Sequence, residues 1–264
     1  MPTIHANGID IYYEQKGSGL RLLYFQGSGQ TLAKSGMMLD GYAKAFDVVA
    51  HDQRGLGRTE IPPGPYEMAD YAADAAALLD AIGWESCRVV GTSFGGMVAQ
   101  EFAVTWPERV ERLALVCTSP GGKFASYPLH TLAELPPDQA KALGASLLDS
   151  RFTPEWLAEH DDDRALVDVI AEMQGAPASD EVRRGEELQL DARSRLDVID
   201  RLGRVTCPTF VAAGRYDMIA PPANAEVIAE HVAHAQLRLY EGGHIFFLQD
   251  PQAIPDAMEF LAGE

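Results

Sequence analysis

An α/β architecture, a mostly parallel sheet with helices on both faces, is predicted by three features of the 264-residue chain. Short apolar runs of strand length alternate with helix-length segments along most of it, the pattern of repeated βα units. From Pro120 to about Gly203 that alternation stops, and helix-like segments and Pro/Gly breaks follow one another without a strand. Finally, the strand-like pair Val89-Val90 enters Gly91-Thr92-Ser93-Phe94-Gly95, and a helical pattern leaves through Val98, Phe102 and Ala103. That is G-x-S-x-G in its strand–turn–helix setting. The reading is one core over residues 1–119 and 204–264, interrupted by a helical insertion over 120–203. An insertion leaving the C-terminal end of a strand would roof the crevice where open α/β sheets bind ligands.

The elements follow in order. Ile4 to Tyr13 alternates apolar and polar residues around Asn7-Gly8, a strong hairpin signal. Arg21 to Phe25 reads as a third strand, ending in the loop Gln26-Gly27-Ser28-Gly29-Gln30. A helix is predicted over Met37 to Ala45, then a strand over Phe46 to Ala50. Pro62, Pro63 and Pro65 break the chain before an Ala- and Leu-rich helix from Met68 to Ile82. Cys87 to Val90 is the strand of the serine motif, its helix stops at Trp106 before Pro107, and Arg112 to Cys117 is another strand. After the insertion, Thr209 to Gly214 resumes the sheet. A helix over Ala223 to Val232, a strand over Gln236 to Tyr240 and a helix over Ala253 to Leu261 complete it.

Composition narrows the function. The net charge of −18 argues against nucleic acid and anionic membrane surfaces as partners. The longest apolar runs are strand-sized, so no transmembrane helix is expected, and Met1-Pro2-Thr3-Ile4-His5 lacks the basic and apolar parts of a signal peptide. A cytoplasmic location is the expectation. Cys87, Cys117 and Cys207 form no C-x-x-C or metal spacing and border apolar runs, which predicts buried free thiols. Asp161-Asp162-Asp163 marks a helix start or solvated turn, because three adjacent carboxylates cannot all face one ion from a helix. Neither a metal nor a cofactor is expected.

A serine hydroxyl needs a base, and the base needs an orienting third group. In the order Ser, Asp, His, the acid follows a later strand and the histidine lies in a loop near the C-terminus. Asp217 in Gly214-Arg215-Tyr216-Asp217 and His244 in Gly242-Gly243-His244 meet both conditions. Like Ser93, both follow strands, so the fold gathers them on one edge. His231 and His234 sit near a helix end, His5 in the hairpin, His51 before a turn, and His160 in the insertion, as does His130. The oxyanion would be held by the Phe94 N–H and by a donor from the loop after the third strand, for which Ser28 is chosen with Gly27 in reserve.

These residues resemble the α/β-hydrolase superfamily over essentially the whole chain. The resemblance rests on Gly91 to Gly95, Asp52-Gln53-Arg54-Gly55-Leu56-Gly57, Gly214 to Asp217 and Gly243-His244. Phe94 to Gln100 and Trp106-Pro107-Glu108-Arg109-Val110 look most like the branch of 3-oxoadipate enol-lactonases and small bacterial carboxylesterases. The resemblance implies an eight-stranded, mostly parallel sheet with a helical cap between the sixth and seventh strands. One departure stands out: many relatives carry His-Gly where this chain has Gln26-Gly27. Serine at 93 also disfavours the dehalogenase and epoxide-hydrolase branches, which use aspartate.

The expected activity is hydrolysis of a small-molecule ester or lactone through an acyl-enzyme on Ser93, His244 and Asp217. C–C bond cleavage of a diketone or dienoic acid on the same triad is the alternative, with a perhydrolase side activity besides. A non-catalytic binding protein on this scaffold is the rival from another class; such proteins usually lose a triad member, and here all three remain. Phe124, Tyr127, His130, Trp156 and Met173 are candidate substrate contacts, against the plainer reading of such residues as core. The sequence leaves the oligomeric state open, a homodimer included.

Overall fold

The structure, a computed structural model, describes residues 2–174 and 179–263, with side chains over 2–171 and 179–263. Asn7 and Gly8 take left-handed φ of 49° and 77°, which lets two residues join β1 (Thr3–Ala6) to β2 (Ile9–Gly17) with Ala6 opposite Ile9. The βα alternation then runs β3 (Leu20–Phe25), α1 (Gly36–Tyr42), β4 (Phe46–His51), α2 (Met68–Ala81), β5 (Cys87–Thr92), α3 (Phe94–Thr105) and β6 (Val110–Val116). Next come α4 (Pro137–Leu148), α5 (Pro154–Glu159), α6 (Asp161–Gln174) and α7 (Asp180–Ser194), with short 3-10 turns around them. The chain returns through β7 (Thr209–Gly214), α8 (Pro222–His231), β8 (Ala235–Tyr240), α9 (Phe246–Gln249) and α10 (Ala253–Ala262).

Local chemistry fixes several of these starts. The Glu67 N–H donates to Asp70 Oδ2 at 2.8 Å in a capping box that opens α2. Thr153 and Ser179 accept first-turn N–H groups at the starts of α5 and α7. Asp161, Asp162 and Asp163 occupy the first turn of α6, where the helix dipole favours negative charge.

The eight strands form one sheet in the order β1-β2-β4-β3-β5-β6-β7-β8, antiparallel at β1–β2 and β2–β4 and parallel elsewhere. Alternate residues of each strand enter opposite layers, as the two-residue period requires. Leu23, Phe25, Val89 and Leu115 pack with α2 and α3, whereas Leu22, Tyr24, Val90 and Ala114 pack with α1 and α10. Burying one such side chain contributes about 1.5–3 kcal/mol.

From β3 the chain crosses to β4 on one side, and from β5 to β6 on the other. The crevice between β3 and β5 is therefore a topological switch point, where ligands bind in open sheets. Between β6 and β7 the described residues hold no strand, only isolated bridges at Gly121–Phe124 and Gly121–Asp197. β6 begins at Val110, two residues before the predicted Arg112, because a register shift after Cys87 brings Val110 opposite it. α1 stops at Tyr42 rather than Ala45, and one-turn α9 was not anticipated.

Candidate active site

Ser93 follows β5 and caps α3 with φ 53° and ψ −116°, a conformation that an L-residue holds only under constraint. Its neighbours supply that constraint. The Ser93 N–H donates to Val116 O at 2.8 Å, and Thr118 Oγ1 donates to Ser93 O at 2.7 Å. A Cβ on Gly91 would collide with the Gly95 backbone, and one on Gly95 with the backbone of Phe25 and Gln26. Glycine at both positions thus lets β5, α3 and the end of β3 meet closely enough to project the serine.

His244 lies beyond β8. Its Nε2 is 2.9 Å from Ser93 Oγ and its Nδ1 is 2.8 Å from Asp217 Oδ2. With the ring proton on Nδ1, the imidazole donates to the carboxylate and accepts from the serine hydroxyl. Asp217, only 1% exposed, also accepts the N–H groups of Ile219 and Ala220 on Oδ1, each at 2.8 Å. Three donors thus satisfy the buried carboxylate. Ser93 itself is partly exposed, whereas Asp217 and His244 are buried.

The loop after β3 abuts Ser93. A Cβ built on Gly27 would lie 3.7 Å from Ser93 Cβ. Gln53 Nε2 donates to Gln26 O at 2.9 Å, and the Gly29 N–H donates to Gln189 Oε1 of α7 at 2.8 Å. Between these anchors lies Ser28, whose Oγ is buried without a partner among the described residues. Phe94 opens α3, where the first-turn N–H groups lack intrahelical acceptors. The Gln26 side chain is fully buried, and neither Nε2 nor Oε1 has a partner among the described residues.

A cavity of about 310 Å³ lies between Met97 of α3, the segment after β6 and the end of α7, lined by Ser119, Ser126, Tyr127, His130 and Arg193 among others. Tyr127 and His130 line it, whereas Ser93, Asp217 and His244 are not among its lining residues. Phe124 and Trp156 are not among its lining residues. Phe124 accepts the Ser119 hydroxyl on its carbonyl and lies under the Lys123 ammonium. Trp156 stacks on His160 at 3.7 Å and packs with Ala145, Phe152 and Val167 in a separate small cluster. The Met173 side chain lies outside the described residues.

The three cysteines are buried and free. Burial, with the Asp217 charge adding, pushes the Cys117 thiol well above its ordinary value, so it remains an unreactive thiol beside the site. Among the described residues no group of three or more His, Cys, Asp or Glu is placed to hold a metal ion, and no helix is long and apolar enough to cross a membrane.

Some residues that shape the site carry no sequence signal. Asp149 is fully buried; it accepts from Arg151 and from Gln249 Nε2, and Gln249 Oε1 accepts the Gly243 N–H at 2.9 Å. The His244 N–H donates to Leu148 O at 2.5 Å. The end of α4 therefore grips the histidine loop.

Known proteins share this arrangement of strands. A family profile described as the alpha/beta hydrolase fold matches residues 21–251. The chain is 26% identical over 261 residues to 3-oxoadipate enol-lactonase 2 of Acinetobacter baylyi, covering 97% of this chain and 94% of that protein. It is 27% identical over 257 residues to the poly(3-hydroxyalkanoate) depolymerase of Ectopseudomonas oleovorans, covering 92% and 84%. The solved enol-lactonase from Burkholderia xenovorans LB400 has a TM-score of 0.80 over 99% of this chain and 100% of its own, a likeness of fold at 20% identity. Because the matched stretch runs from β3 through the loop that carries His244, the chain belongs to the α/β-hydrolase fold family and is a hydrolytic enzyme.

Proposed function

We propose that this enzyme hydrolyses a small carboxylic ester or lactone through an acyl-enzyme on Ser93. The observation that carries the reading is the continuous relay from the Asp217 carboxylate through His244 to the Ser93 hydroxyl, at 2.8 and 2.9 Å. Ser93 Oγ attacks the carbonyl carbon while its proton passes to His244 Nε2, and Asp217 stabilises the imidazolium. The Phe94 and Ser28 N–H groups hold the oxyanion, each contributing roughly 3–4 kcal/mol by analogy with comparable donors. Collapse breaks the C–O bond, and the leaving alkoxide takes the proton from Nε2. Water then gives a proton to Nε2 and attacks the acyl carbon. The acid departs, and the proton returns to Oγ. Residues 120–203 act as the cap that closes the site.

Ser93→Ala should abolish turnover of p-nitrophenyl acetate while circular dichroism stays unchanged. An unaltered rate in that variant overturns the proposal.

A further inference from the structure

The loop that follows β3 is held at two successive peptide units. The first joins Gly27 to Ser28; its C=O accepts the Gln30 N–H at 3.2 Å, and its N–H is the Ser28 donor proposed above for the oxyanion. The second joins Ser28 to Gly29, and its N–H donates to Gln189 Oε1 at 2.8 Å. Each peptide unit is planar, so holding both fixes the two dihedrals at Ser28 between them, and with them the direction of the Ser28 N–H. Gly29 takes a left-handed φ of 66°. Glycine has many conformations open to it, so its own preferences hold the second unit only loosely.

Gln189 belongs to α7, 160 residues further along the chain. The helix is seated on the core at this point. Gly185, one turn earlier on the same face, packs so closely on the loop after β4 that a Cβ would collide with Gly55 O. Arg184 Nη2 donates to Pro62 O at 3.1 Å, and Arg195 Nη2 donates to Tyr66 O at 2.6 Å. Gln189 is 1% exposed, and its Nε2 has no partner among the described residues. Because Gly29 offers a donor, the amide turns its oxygen to the loop. One hydrogen bond returns little to the fold when the same residue freezes a long side chain and buries an unpaired N–H. Leucine or methionine there would serve the core better, so the glutamine is explained by what it holds.

We propose that Gln189 is a positioning residue of the oxyanion hole: from the inserted helix α7 it aims the Ser28 N–H at the developing oxyanion, so the hole is complete only while α7 is seated on the core. This rests on the reading of Ser93 as the nucleophile of an esterase or lactonase. It adds that the inserted segment supplies part of the catalytic geometry as well as a roof.

The test replaces Gln189 with Met, which keeps length and helix preference but offers no oxygen, and separately with Ala. Rates on p-nitrophenyl acetate are expressed per active site titrated with a fluorophosphonate, so a partly unfolded preparation does not imitate the loss. Removing an oxyanion donor outright costs about a hundredfold or more in kcat. Misdirecting one should cost about tenfold to a hundredfold, with KM within about twofold of wild type. A trifluoromethyl ketone supplies the second readout. Ser93 Oγ adds to its carbonyl carbon, the hydroxyl proton passes to His244, and the C=O π pair becomes an alkoxide in the hole. Its inhibition constant should rise by the factor by which kcat/KM falls. Arg195→Ala loosens α7 without touching the loop and should leave kcat within about twofold of wild type. Wild-type kcat in Gln189→Met or Gln189→Ala overturns the proposal. So does a lowered kcat with unchanged ketone inhibition, or an equal loss in Arg195→Ala. In each of these cases an active wild type leaves the esterase reading standing. A wild type that turns over no p-nitrophenyl ester overturns that reading and this inference with it.

Discussion

Gln249 Nε2 donates to the buried Asp149 carboxylate at 3.0 Å, joining α9 to the end of α4 across a hundred residues of sequence. The same side chain accepts the Gly243 N–H, immediately before His244. Gln249→Ala would leave a buried N–H unpaired, at about 1–3 kcal/mol, and would slacken the imidazole. The expected result is a kcat reduced about tenfold with KM little changed, since a misplacement of about 1 Å can cost a hundredfold in rate. An equal loss in thermal stability without any change in kcat would show that the contact serves the fold alone.

Asp217→Asn should retain the fold and lose about three to four orders of magnitude in kcat, as expected when the orienting acid loses its charge. The amide can donate to His244 Nδ1 and so favour the tautomer with its proton on Nε2, facing Ser93. Because Asp217 also holds Ile219 and Ala220, steady-state rates should be read alongside a melting curve. A kcat within tenfold of wild type would contradict the assigned role.

His51 is 1% exposed, its Nδ1 has no partner among the described residues, and its ring packs edge-on against Phe25. Burial pushes its pKa down to about 4, with the Asp74 charge opposing. Between about pH 4 and 6.5 the unfolded chain binds a proton at this position that the folded chain does not, so stability rises with pH across that window and is lost as pH falls. The full shift corresponds to about 3 kcal/mol. His51→Leu should flatten the dependence of urea stability on pH between 6.5 and 4. An unchanged slope would mean that other groups set it.

Much of the sheet was legible in sequence because each strand is short, apolar and bounded by a turn residue. Thr209 to Gly214 has the predicted limits, and Asn7-Gly8 makes the predicted hairpin. Ser93, Asp217 and His244 could be singled out because each sits next to glycine or a strand end that a pattern can register. α9 escaped, since four residues, Phe246 to Gln249, show no helical period. Asp149 and Gln249 escaped for a different reason. Their contacts arise from partners brought close only by folding, and a lone Asp or Gln reads as solvated surface. Trp156 shows the converse: its partners His160 and Asp163 lie a few residues away in sequence, across the turn from α5 to α6, and the aromatic read as a candidate ligand contact packs locally.

The backbone at Ser93, with φ 53° and ψ −116°, lies where only glycine rests without penalty. Alanine inherits the whole of that penalty, about 1–3 kcal/mol, whereas glycine escapes it and gives back about 0.4–1 kcal/mol through a looser unfolded chain. Ser93→Gly should therefore melt above Ser93→Ala, and a reversed order in calorimetry would show that the turn is at ease. The proposed chemistry and the durability of this molecule pull in opposite directions at a single residue: its sturdier version is one that has surrendered its hydroxyl.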